Sequence, residues 1–161
     1  MNPVTGDSRE SDTARTWAMG VHLIGIANFF FPFSGLIGAI VVYSLRRSDP
    51  SFVRENARNA LNMQITLTVF NAVMVIVALI FFFSIFATAV VSSGASHAHD
   101  ATPPGIPWEF AGYFGCFALL ILVNFGMTIF YCIAARSAYL GHVFRYSVAF
   151  PFVRPESSVP A

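Results

Sequence analysis

Lysine is absent from this 161-residue chain, cysteine occurs twice, and charged side chains make up only 11% of it. Each shortage excludes something. Ordinary soluble domains carry about 25% charge. With 56% hydrophobic residues and a mean hydropathy of +0.66, a chain of this size could not bury its apolar surface in water, so lipid is its natural solvent. A net charge of +1, with all nine basic residues arginine, offers no basic field to nucleic acid. Cys116 and Cys132 fall in one apolar run, about 24 Å apart along a helix. They cannot pair with each other there, and they lack metal-ligand spacing. There is no phosphate-binding glycine loop, HExxH zinc helix or buried carboxylate pair, so the sequence speaks against an enzyme and implies no metal and no cofactor. Residues 1–14 are polar and carry acids where a secretory signal would be basic; they are expected to be disordered and uncleaved. No internal repeat is visible.

What the chain does have is three long stretches without formal charge. They predict an all-α integral membrane protein with four transmembrane helices, the first two a short hairpin and the last two long. The expected spans are 16–31, 34–46, 59–91 and 108–135, inside a four-helix membrane domain of residues 15–154, with 155–161 a C-terminal tail. The first stretch, Thr16 to Leu45, is long for one span and short for two. Pro32, Ser34 and Gly35 break its centre, which favours a hairpin whose tip reaches the far headgroup layer; a single kinked helix is the alternative. Arg46, Arg47, Arg54 and Arg58 bracket the next connection and place it in the cytoplasm. Asp49 and Pro50 supply a turn there, and Ser51 is a natural N-cap for the third helix.

Residues 92–107 are small, polar and free of arginine, as suits a non-cytoplasmic loop. His97, His99 and Asp100 make an HxHD cluster within it that could touch a divalent metal, but two imidazoles on a flexible loop make a weak site. Trp108 and Tyr113 sit where interfacial aromatics belong. Arg136, Arg145 and Arg154 return the C-terminus to the cytoplasm, with the aromatic tail expected along the membrane surface. The predicted location is the inner (plasma) membrane, multi-pass, with both termini cytoplasmic.

The candidate functional residues are polar groups at or inside the spans. Glu55, Asn59, Asn62 and Thr66 follow helical spacing on one face of the third helix, and Gln64, Thr68 and Asn71 make a second stripe. Neither stripe should face lipid. Asn124 lies deep in the last span, with Asn71 its expected counterpart, and Arg54, Glu55 and Arg58 form a charge cluster at the helix start. These amides are either interhelical hydrogen-bond glue or the lining of a polar path. His22, alone among apolar residues, reads as a hydrogen-bonded packing residue rather than a proton carrier.

RTWAM at Arg15 to Met19, the break at Phe31 to Phe33, ALNMQI at Ala60 to Ile65 and GHVFRYSVAFPFV at Gly141 to Val153 carry a resemblance. Together they resemble a bacterial family of small membrane proteins of unknown function, itself similar to the channel-like subunit of the chloroplast Tic protein importer. The resemblance covers Arg15 to Arg154 and implies a four-helix membrane domain with both termini on one side. Typical members carry an acid, a histidine and a glycine before ALNxQI, where this chain reads Arg54, Glu55, Asn56 and Ala57.

Two functions follow. One is a structural or interaction subunit of a membrane complex, bound to the lipid bilayer and to itself or another membrane protein through small faces such as Gly20, Gly25, Gly35, Gly38, Gly112 and Gly115. The other is an oligomeric transporter or protein-translocation pore component lined by Asn62, Gln64, Asn71 and Asn124.

Overall fold

The computed structural model describes residues 5–31, 33–48, 51–94 and 108–154; for 5–11, 51 and 92–94 it describes the backbone alone. Helices α1 (Thr5–Leu23), α2 (Ser34–Leu45), α3 (Ser51–Gly94) and α4 (Trp108–Tyr139) follow one another, with a 3₁₀ turn (Ile24–Phe29) between the first two. The HxHD cluster, the Asp49–Pro50 turn, the Ser51 side-chain cap, Pro32 and the tail 155–161 lie outside the described residues.

Residues 5–14, expected to be disordered, form the first turns of α1. No glycine or proline interrupts the chain from Asp7 to Ala14, and the Thr16 hydroxyl donates to the Asp12 carbonyl one turn back. The expected first span is also shorter as an α-helix, because the chain tightens into the 3₁₀ turn at Ile24. Two helices, Phe52–Val91 and Trp108–Tyr139, are long and apolar enough to cross a membrane; α1 and α2 do not qualify as spans of that kind.

The chain divides into two units, Met1–Thr68 with Gly126–Ala161, and Val69–Phe125. In the first, α2 runs back antiparallel along α1 and the 3₁₀ turn. The Arg46 guanidinium stacks 3.8 Å from the centre of the Trp17 ring. Val21 packs with Val42, Ala57 and Ala60, and Gly38 lies under Ile24. The Gly35 amide donates to Asn28 Oδ1 at 2.7 Å, closing the turn. A ladder of this kind rules out the single kinked helix. Gly35 is needed there, since a Cβ would stand 2.8 Å from the Asn28 amide. Phe33 starts α2 with φ 67°, a left-handed conformation that costs a bulky residue about 1–2 kcal/mol.

At its far end α4 stops in a Schellman motif. His142 N–H donates to Ser137 O and Gly141 N–H to Ala138 O, both at 3.0 Å, with Gly141 at φ 88°. The chain leaves as an irregular tail, 140–154.

The second unit is the helix pair formed by the later part of α3 and the first part of α4. Gly112 lets the Phe81 ring approach, since a Cβ would sit 2.6 Å from it. Phe81 in turn meets Trp108 edge to face at 5.7 Å. Most other large side chains of this unit, Ile76, Ile80, Phe83, Phe86, Phe114 and Ile121 among them, are exposed. An exposed apolar surface around a helix pair is what lipid requires.

Candidate functional site

The polar start of α3 is where the first unit's hydrogen bonds converge. Asn56, Asn59, Asn62 and Thr66 recur at helical spacing, and the face they make points at the tail. Asn59 Nδ2 donates to Phe144 O at 2.9 Å. Asn62 binds one residue twice, donating to Val153 O at 3.1 Å and accepting from Val153 N at 2.7 Å. The Thr66 hydroxyl donates to Asn62 O and accepts from Phe150 N at 2.9 Å. A tail without regular structure has backbone groups that nothing in its own segment pairs, and in a low-dielectric setting each is costly to leave open. The α3 amides supply those partners.

Asn56 joins the tail to α1. Its Nδ2 donates to Phe52 O, and its Oδ1 accepts from Phe144 N, so the orientation of the amide is set by two backbone groups. Oδ1 is also 3.0 Å from His22 Nε2, which must therefore carry the proton and donate. The other ring nitrogen, Nδ1, is then an acceptor, and the Tyr146 hydroxyl donates to it at 2.9 Å. Burial pushes the Tyr146 phenol up from its ordinary value, which keeps that proton in place. His22, Phe144 and Tyr146 stack edge to face around this pair. His22 is buried as a neutral, fully engaged imidazole.

About two turns further along α3 from Asn56, Gln64 serves the hairpin. Its Oε1 accepts from Asn28 Nδ2, whose Oδ1 holds the Gly35 amide. A Cβ at Gly25 would meet Gln64 Nε2 at 2.5 Å and the Tyr131 ring at 2.8 Å. The Tyr131 hydroxyl is buried beside that amide and completes no hydrogen bond of ordinary geometry.

The charge cluster is looser. Arg58 bonds Glu55 at 3.0 Å, and Arg145, largely exposed, approaches the other Glu55 oxygen at 3.9 Å. Arg54 lies one residue earlier on α3, half-buried. In the second unit Asn71 and Asn124 exchange two hydrogen bonds, at 3.3 and 3.0 Å, and Asn124 also donates to Leu120 O. The structure therefore brings Glu55, Arg58, Asn59 and Asn62 to the tail side of the first unit, Gln64 to its hairpin, and Asn71 with Asn124 in the second. Sequence reasoning missed Asn56, Asn28 and Tyr146. Asn56 could have been found as the helical neighbour of Asn59 on the same face; Tyr146 and Asn28 carried no such signal. Among the described residues no group of three His, Cys, Asp or Glu side chains could hold a metal ion.

A family model matches residues 13–153, nearly the whole chain, and its description is the MamF/MmsF magnetosome magnetite crystal formation protein family. The chain belongs to that family. A membrane location is consistent with that membership and with the two long apolar helices. The match overturns the resemblance to the Tic importer. The motifs behind that resemblance are packing motifs: ALNMQI carries Asn62 and Gln64, and GHVFRYSVAFPFV is the tail that α3 holds. They track how a small bundle is stitched, not what it does. No curated protein and no solved structure matches the chain.

Proposed function

We propose that this MamF/MmsF-family chain is a structural membrane protein, without catalytic activity, that contributes to magnetite crystal formation by assembling with itself or with another protein of the same membrane. It crosses the bilayer through α3 and α4, with Arg46, Arg47, Arg54 and Arg58 on the cytoplasmic side together with both termini. Family membership supports the setting. The observation that carries the structural role is how the α3 amides are used. Asn56, Asn59 and Asn62 bond the tail, and Gln64 bonds the hairpin. Amides committed to the chain's own backbone and side chains act as glue rather than as the lining of a solute path.

Deleting the chain from a magnetite-forming host tests this reading. Electron microscopy is expected to show crystals of altered size or shape inside membrane compartments that still form, and reintroducing the intact chain restores them. The purified protein in liposomes is expected to pass no solute above the lipid background. Unchanged crystals would remove the role in mineral formation, and solute flux would turn the reading toward a pore.

A further inference from the structure

We propose that the hairpin of α1, the 3₁₀ turn and α2 does not cross the membrane but dips into it as a re-entrant wedge. Its tip of phenylalanines lodges among lipid acyl chains near the bilayer midplane. The proposal rests on a membrane location and not on a role in mineral formation, so the two readings fail separately.

Depth is the first argument. The open end of the hairpin is marked by Arg46 stacked on Trp17, a pairing suited to the headgroup layer. From there α2 offers Ser34–Leu45, about 18 Å at 1.5 Å per residue, against a hydrocarbon core of about 30 Å. The neighbouring helix holds the closed end in place. Asn28, at the closed end, bonds Gln64, and Gly35 packs on the same side chain. Helix α2 therefore stops a little over halfway across.

The chemistry of the tip is the second argument. Phe29, Phe30, Phe31 and Phe33 are 60%, 71%, 72% and 57% exposed, and no charged residue occurs between Thr16 and Leu45. A turn in the far headgroup layer would meet water and could leave its backbone groups to it. Among the described residues this one binds most of its own N–H groups: Phe30 N–H and Phe31 N–H donate to Ala27 O, Ser34 N–H and its hydroxyl to Phe31 O, Gly35 N–H to Asn28 Oδ1, and Ile37 N–H to Phe33 O. Closure of that kind is what hydrocarbon demands of a non-helical segment. Phe33 also holds a left-handed backbone that glycine would adopt without strain, which keeps an aromatic ring on the tip.

The test uses the full chain in phosphatidylcholine and phosphatidylglycerol vesicles, with Cys116→Ala and Cys132→Ala to clear the background. A nitroxide is attached at Phe31→Cys or, as a second variant, Phe30→Cys, with Leu45→Cys as the shallow reference. Relaxation by oxygen, which partitions into the bilayer centre, is compared with relaxation by a water-soluble nickel chelate. The expected result is an oxygen-to-nickel ratio far higher at the tip than at Leu45. Strong relaxation by nickel at the tip would overturn the proposal, because the hairpin would then reach water. Weak relaxation by both reagents, with broadening between labels, would overturn it in favour of a second copy covering the tip.

Discussion

Asn62 holds Val153 by both of that residue's backbone groups, and Asn56 fixes the tautomer of His22 by holding Phe144. The polar stripe on α3 was visible in the sequence, but its partner was not, because the groups it binds are main-chain N–H and C=O. Every residue type carries those, so a side chain that reads them leaves no complementary pattern elsewhere in the sequence. Charge was more legible and less informative: Arg58 and Glu55, three positions apart, are paired as any helix would pair them. The His22–Tyr146 bond allows a direct check. Tyr146→Phe leaves Nδ1 as a buried acceptor without its donor and should cost about 1–3 kcal/mol, read as a lower melting midpoint in detergent. His22→Phe with Tyr146→Phe removes both ends together, so the pair should cost less than the sum of the singles. Strictly additive losses would show that the two side chains do not share that bond.

At the scale of elements, apolar run length located α3 and α4 well, since nothing but a helix satisfies so long a backbone among apolar side chains. It could not distinguish a span from a re-entrant hairpin, because both are charge-free. The re-entrant reading proposed above draws on features that run length does not show: the 3₁₀ turn, which shortens the first arm, and the bond from Asn28 to Gln64, which joins residues remote in sequence. The Asn71–Asn124 pair was expected because Asn124 is the lone strongly polar side chain deep in its span and Asn71 ends the second polar stripe of α3, where an amide in lipid needs a partner. Its two hydrogen bonds tie α3 to α4 within the second unit. Asn71→Leu or Asn124→Leu should each lower thermal stability in detergent by about 0.6–2 kcal/mol. The double substitution should recover part of that loss, since no amide is left facing an alkyl chain. If either single change alone is neutral, the pair is not holding the helices together.

Over the whole molecule, charge is distributed by end. Arg46, Arg47, Arg54 and Arg58 stand between α2 and α3, Arg136, Arg145 and Arg154 follow the apolar part of α4, and the connection 92–107 has no arginine. If α3 crosses once and α4 returns, both arginine groups share one side, and the positive-inside rule makes it the cytoplasm. On the same condition the antiparallel ladder from Trp17–Arg46 to Asn28–Gly35 would put the start of α1 on that side, because a segment that folds back on itself ends where it began. This holds whether the hairpin spans or only dips, so it tests topology apart from depth. A membrane-impermeant maleimide should leave Ser8→Cys unlabelled in intact spheroplasts and label it once the membrane is permeabilised, while Ser93→Cys should react in both. Labelling of Ser8→Cys from outside would mean that α1 and α2 lie on one path through the bilayer, and the fold-back of the first unit would have to be abandoned with it.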